Sequence, residues 1–268
     1  MDVVEVERSE HIALVRLNRP EARNALDPEL VVALGDTWES LRADDSTRVC
    51  VLSAAPCSSF CAGFDLATFV PLLTGSPPRD QWGERIAADP TAAAARAILC
   101  DVDLGKPLIA AVNGHAVAGG LELILAADLR VVADTARLGT GAVNMGLIPT
   151  MGGTARLAHQ VHAAFAAELL LTGASITAAQ ALAAGLINRV VPTEDVLNVA
   201  LELATAIAAN APLAVRAARE IVRSADELTA TELLGLERRL GHELEQTLDA
   251  VEGPRAFMEK RPARFLGR

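Results

Sequence analysis

The stretch from Pro107 to Ala127 constrains this chain most. Pro107-Leu108-Ile109-Ala110-Ala111-Val112 is an unbroken apolar run and predicts a buried strand. Leu121 to Ala127 is apolar except for Glu122 and predicts a helix buried nearly all round. Between them lies Asn113-Gly114-His115-Ala116-Val117-Ala118-Gly119-Gly120, a glycine-containing turn. Gly119 and Gly120 lack a Cβ, so backbone there can approach a ligand closely. Their amides fall at a helix N-terminus, where N–H groups have no internal partner and the dipole end is positive. Such a place can hold a developing negative charge. The same residues fit a plainer reading equally well, in which the glycines serve tight packing and Glu122 complements the helix dipole.

Composition narrows the classes. Of 268 residues, 51% are hydrophobic, enough for a large core and too many for a disordered chain. No apolar run reaches the roughly 18 to 20 residues of a membrane span. Met1-Asp2-Val3-Val4-Glu5 is acidic and lacks the apolar centre of a signal peptide, so a cytoplasmic protein is expected, with no membrane partner. Cys50, Cys57, Cys61 and Cys100 show neither a CxxC nor paired metal spacing, so free thiols and no metal are expected. The net charge of -10 and the lack of a basic stripe argue against nucleic acid.

Along the chain, residues 3–7 and 11–17 predict two strands. Asp27-Pro28 predicts a capped helix start, and Leu30, Val31, Leu34, Trp38 and Leu41 carry the helix to about Arg42. A short strand is expected over 48–52, then a loop ending Phe60-Cys61-Ala62-Gly63-Phe64-Asp65. Residues 66–90 are the least regular, and an alanine-rich helix is expected over 91–103. Further strands are predicted at 108–112 and 129–133, then a turn, a short strand and a loop over 134–146. Helices follow at about 153–158, 162–171, 177–184, 195–209, 212–224 and 227–249, the last carrying Leu236, Leu240, Leu244 and Leu248. If the strands before Phe64 and before Gly119 are neighbours, both loops open at one sheet edge. Two backbone N–H groups could then meet at one oxygen, the geometry of an oxyanion hole.

These residues resemble the crotonase (enoyl-CoA hydratase/isomerase) superfamily over nearly the whole chain. The resemblance is carried by Leu17-Asn18-Arg19-Pro20 with Asn24-Ala25-Leu26, by Phe60 to Asp65, and by Lys106-Pro107 through Glu122. Further pieces are Ala127-Asp128-Leu129-Arg130, Gly146-Leu147-Ile148-Pro149 with Gly152-Gly153-Thr154-Ala155-Arg156-Leu157, and Leu171-Thr172-Gly173. The last are Ala181 to Leu186, and Glu252-Gly253 through Phe257 to Arg261. The resemblance implies an α/β fold, a crotonase-type spiral of ββα units. Residues 1–195 would form the core with the acyl-CoA site, and 196–268 a C-terminal helical trimerisation region. It implies a homotrimer or a dimer of trimers. It implies an acyl-CoA thioester as ligand, with coenzyme A part of the substrate and no separate cofactor.

By the same match, the N–H groups of Phe64 and Gly119 would form the oxyanion hole and Glu122 would be the general acid/base. The Phe64 side chain would shape the acyl pocket. The adenine would lie against Ala62-Gly63-Phe64-Asp65 and the loop near Arg23 and Leu26. Phe257 and Lys260, from a neighbouring subunit, would touch adenine and phosphate.

One position departs from the hydratase pattern. Family hydratases carry a second glutamate in a Pro-Glu about twenty residues after the first, and Ala142 stands at that match. Alanine neither moves a proton nor orients a water. Thr140 or Asn144 could orient a water, though neither is a useful base. The expected function is an enoyl-CoA hydratase/isomerase-type enzyme, a hydratase-like lyase. The alternatives are a decarboxylase or C–C lyase on the same scaffold, or an acyl-CoA binding protein without catalysis. Residues 142–146 resemble superfamily decarboxylases, but Thr150 stands where one such group has a tyrosine, and this chain has none. His115 is read as a hydrogen-bonded loop residue, Cys61 as a small packing residue, and Asp65 as a group that fixes its loop.

Overall fold

The computed structural model describes residues 2–268. The elements in order begin with β1 (Val4–Ser9), β2 (Ile12–Leu17), α1 (Pro28–Ala43), β3 (Val49–Ala54) and β4 (Ser59–Cys61). Next come α2 (Val70–Leu73), α3 (Gln81–Ile86), α4 (Pro90–Ala97), β5 (Leu108–Val112), β6 (His115–Val117) and α5 (Gly119–Leu125). Then follow β7 (Leu129–Ala133), β8 (Arg137–Gly139), α6 (Gly153–Gln160), α7 (Ala163–Thr172), β9 (Ser175–Thr177), α8 (Ala178–Ala183) and β10 (Arg189–Val191). The chain closes with α9 (Val196–Ala208), α10 (Pro212–Ser224), α11 (Ala230–Glu245) and α12 (Leu248–Met258).

Two sheets alternate along the chain. The larger has the order β1-β2-β3-β5-β7-β10, and the smaller has β4-β6-β8-β9. The strand pairs β3 and β4, β5 and β6, and β7 and β8 each give their first member to the large sheet and their second to the small one. This is the ββα spiral. Pairing is parallel from β2 to β10 in the large sheet. Every residue of β3 and β5 is buried, which explains the apolar runs 49–52 and 108–112.

The helix starts follow capping chemistry. Asp27 accepts from the Leu30 amide at 2.9 Å, with Pro28 in the first turn of α1. The C-terminus of α1 is closed by the buried Lys106, whose ammonium donates to the carbonyls of Leu41, Arg42 and Asp44. Arg130 does the same for α5, donating to Ile124, Leu125 and Ala127 carbonyls and to Leu186. Both cations sit where the helix dipole favours positive charge.

Four expectations shift. The helix expected over 91–103 ends at Ala97, because Leu99 turns into the left-handed region at φ 53 and the Cys100 amide bonds back to Ala95. The helix expected to begin at Leu121 begins at Gly119, which puts both glycines inside its first turn. The helix expected over 227–249 is two helices. Thr229 and Glu232 form a capping box that starts α11 at Ala230, and Thr247 caps a new start at Leu248. Leu248 therefore leaves the leucine series and is exposed. Finally, α9 opens the 196–268 region yet buries Val196, Ala200, Ala204 and Ala208 in the core beside the large sheet.

Candidate active site

The two loops of the site follow β4 and β6, which pair as parallel neighbours, and the connections that lead into those strands also touch. Asn113 marks the meeting, donating to the Ala54 carbonyl at 2.9 Å. The loop after β4 is held by α1's approach: Leu26 donates to Gly63 at 2.8 Å, Asp65 donates to Leu26 at 3.0 Å, and Ala62 donates to Arg23 at 3.1 Å. Gly63 takes φ 90, a conformation that L side chains rarely adopt. Opposite it, Ala118 takes φ 50 with ψ -124 and turns the chain from β6 into α5. Gly120 packs so closely on Cys61 that a methyl group there would overlap the Cys61 carbonyl.

The contact brings the two amides together. A methyl group on Gly119 would stand 3.4 Å from the Phe64 nitrogen, and one on Gly63 would stand 3.0 Å from the Gly119 nitrogen. Among the described residues, neither the Phe64 nor the Gly119 N–H donates to a protein acceptor. The Phe64 ring covers Gly119 and stacks on Phe69 with centroids 4.8 Å apart. Arg19 braces the Phe64 loop from behind. Its guanidinium binds Asp65 at 2.9 Å and Asp27 at 3.1 Å. Asp65 also accepts from the Ala67 and Thr68 amides. Burial works against its charge, but these bonds hold the carboxyl below its ordinary value.

Glu122 lies one turn of α5 beyond Gly119 and is buried. Its Oε1 accepts from the Met151 amide at 2.8 Å and the Gly153 amide at 3.2 Å. Burial pushes its pKa above the ordinary 4.5, against the lowering effect of those two amides and of the Arg156 charge. A carboxyl so poised can take and return a proton. Met151 and Gly153 are site residues that sequence reasoning missed as such. Their contribution is backbone N–H, which every residue but proline carries, and only the Gly152-Gly153 pair before a helix hinted at close approach.

At the second carboxylate position, Ala142 is buried in a short 3-10 turn, Ala142–Met145, entered through Gly141 at φ 60. Proline is locked near φ -65°, so this turn cannot be the Pro-Glu turn of family hydratases. Asn144 turns toward the Gly173 carbonyl at 3.3 Å. The Thr140 hydroxyl is buried with no protein partner. It follows Gly139, whose carbonyl accepts from the Ala118 amide at 2.8 Å, one residue before Gly119.

The remaining candidates divide. Arg23 is exposed, lies in the left-handed region at φ 56, and is tied to the loop by its carbonyl, which accepts from Ala62. Leu26 is fully enclosed, so its side chain cannot touch an adenine; it holds Gly63 and Asp65 in place instead. Phe257 is 83% exposed and Lys260 is exposed as well. No hydrogen bond or ion pair among the described residues links either to Ala62–Asp65. The tail beyond them returns to Arg48 at the start of β3, where Arg48 donates to the Phe265 carbonyl at 2.8 Å. A single copy therefore does not assemble these two with the loop. His115 accepts from the Arg137 amide at 3.1 Å, and burial pushes the Cys61 thiol up to about 12, far from a nucleophile's range.

The comparisons with known proteins agree with this layout. Residues 7–268 match the Enoyl-CoA hydratase/isomerase family. The chain is 40% identical to enoyl-CoA hydratase EchA19 of Mycobacterium tuberculosis, over 98% of this chain and 96% of that protein. It is 38% identical to the 2,3-dehydroadipyl-CoA hydratase of Escherichia coli, over 98% of both. It superposes on the enoyl-CoA hydratase of Bacillus anthracis with a TM-score of 0.89 at 32% identity, covering 99% of this chain and 100% of that one.

Proposed function

The chain belongs to the enoyl-CoA hydratase/isomerase family and processes acyl-CoA thioesters, and we propose that it adds water reversibly across the α,β-double bond of an enoyl-CoA, with Glu122 as the acid/base. The observation that carries this is the buried Glu122 carboxyl on the same first helical turn as the Gly119 amide. The thioester oxygen sits between the Phe64 and Gly119 N–H groups. Glu122 as carboxylate takes a proton from water while the water oxygen bonds to Cβ. The electron pair of the double bond moves toward the thioester oxygen, and the two amides stabilise the enolate. Protonated Glu122 then delivers the same proton to Cα, which closes the cycle with no net change in the enzyme. The relatives' hydratase activities support this reading.

Ala142 and Gly141 favour a second reading, double-bond isomerisation. Moving a proton from Cα to Cγ needs one base and the same two amides, and no second carboxylate. On either reading Ala62, Gly63 and Asp65 supply backbone beside the adenine, with Arg23 at the rim. Phe257 and Lys260 act from a neighbouring copy, within a homotrimer or a dimer of trimers. The exposed Phe257 and Met258 on α12 support that assembly.

Purified protein tests both. Loss of the enoyl thioester absorbance of crotonyl-CoA marks hydration. Gain of that absorbance from a β,γ-enoyl-CoA marks isomerisation. Activity with neither, together with release of carbon dioxide or an aldehyde from another thioester, would overturn both.

A further inference from the structure

Arg156 is a half-buried cation, with its Nη1 enclosed, that the acid/base chemistry does not use. It lies on α6, four residues past Gly152, whose carbonyl accepts from the Arg156 amide at 2.9 Å. Its guanidinium folds back over its own helix start. A methyl group on Gly152, which has φ 88, would stand 3.2 Å from Nη1 and 3.3 Å from Cζ and Nε. The far side of the same turn touches the acid/base: a methyl group on Gly153 would stand 2.9 Å from the Oε1 and Cγ of Glu122. The turn that donates to Glu122 is thus bounded by the carboxyl on one face and by the guanidinium on the other.

The guanidinium is anchored at one end only. Nη2 donates to the Leu99 carbonyl at 2.5 Å and to Cys100 at 3.4 Å. Leu99 is the left-handed residue that ends α4, so Arg156 ties that strained turn to the Glu122 turn. Nη1 is buried with no protein partner. An arginine with spare donors in a buried place is costly unless its charge is used. Glu122 and Arg156 form no direct ion pair; the Gly152-Gly153 backbone keeps them apart.

We propose that Arg156 is a positioning residue for Glu122, holding the Met151-Gly152-Gly153 turn in register and placing a positive charge behind it that favours the carboxylate. The proposal rests on Glu122 being the acid/base. The direction of electrostatic influence agrees: the Arg156 charge acts to lower the pKa of Glu122, against burial. The other groups facing this pair are the Cys100 thiol, which faces both, and Asp101, Arg130 and Arg223, which face Arg156. Cys100 is pushed above its ordinary range by burial, so it is neutral across the acid limb. Asp101 opposes the effect of Arg156, while Arg130 and Arg223 act on Arg156 as like charges; all three stay in place in the Arg156 variants, so a shift of the limb reports the Arg156 charge.

The test compares Arg156→Gln with Arg156→Lys on crotonyl-CoA across pH. Arg156→Gln keeps a donor for Leu99 but loses the charge. Its acid limb in kcat/KM should move to higher pH, with about a tenfold loss at acid pH and recovery at alkaline pH. Arg156→Lys keeps the charge, so its limb should stay with the wild type even if its Tm falls. An Arg156→Gln limb that coincides with the wild type, with a uniform loss at every pH, overturns the proposal. Titrating Glu122 directly by NMR of protein labelled with 13C at the glutamate carboxyls gives the same answer without turnover. The Glu122→Gln protein assigns that signal. If Glu122→Gln leaves turnover unchanged, the functional reading fails, while the NMR titration still decides the effect of Arg156. Should Arg156→Gln fail to fold, the double variant with Glu122→Gln should fold, because the neutral side chain no longer needs the cation. A double variant that fails as well overturns the proposal.

Discussion

Gly63 and Ala118 lie back to back: a methyl group on Gly63 would stand 2.8 Å from the Cβ of Ala118. That closeness fixes the separation between the Phe64 and Gly119 amides, since each follows directly on one of the two residues. Gly63→Ala would add a side chain at φ 90 and push it into Ala118 and the Gly119 nitrogen. Displacing one oxyanion donor typically costs about 10²–10³ in rate. The expected result is that loss in kcat with crotonyl-CoA, in protein whose circular dichroism is still that of the wild type.

Glu122→Gln should separate activity from stability. Loss of a general acid/base costs roughly 10²–10⁴ in kcat. Stability should move the other way. The folded-state pKa of Glu122 is raised by burial, so its contribution to stability is complete below the ordinary 4.5 and is lost as pH rises through the folded value. At pH 7 the buried carboxylate is a burden that the amide lacks. Thermal unfolding should show the variant with the higher Tm at pH 7 and the difference vanishing below pH 4.5.

Ala142→Glu supplies the second carboxylate in side chain only. Gly141 still enters the turn at φ 60, where proline cannot follow. A well-placed second acid/base group is worth about 10²–10⁴, and the single variant should gain less than about tenfold in crotonyl-CoA hydration. A gain in the full range would mean that the left-handed entry does not misplace the carboxylate.

Asp65→Asn tests the brace behind the Phe64 amide. Asp65 accepts from Arg19 and from two amides, and hydrogen bonds to a charged group are worth about 1.5–3 kcal/mol each. The variant should lose stability on the order of 2 kcal/mol at pH 7. The folded-state pKa of Asp65 is depressed, so its contribution is present above the ordinary 3.8 and is lost as pH falls through the folded value. Tm curves of wild type and variant should therefore run parallel at neutral pH and converge below 3.8.

Much of this protein is legible in its residues. The apolar runs of β3 and β5 are strands because both faces are buried, and Asp27-Pro28 starts α1 because its side chain and ring suit a helix entry. The Phe64 and Gly119 loops share a sheet edge because parallel neighbours send their C-terminal ends the same way. Local chemistry along the chain decides the strands and the helix start, while the meeting of the two loops follows from the long-range pairing of β4 with β6.

Tertiary structure alone decided how Glu122 is held. Its donors, Met151 and Gly153, are 29 and 31 residues away and act through backbone N–H. No side chain signals an amide that any residue would provide. The φ of Gly141, the enclosure of Leu26 and the guanidinium of Arg156 against Gly152 are likewise settled by what packs on them. Sequence determined which groups this protein has for its chemistry. Long-range packing decided which of them meet, because that meeting depends on contacts that local periodicity does not encode.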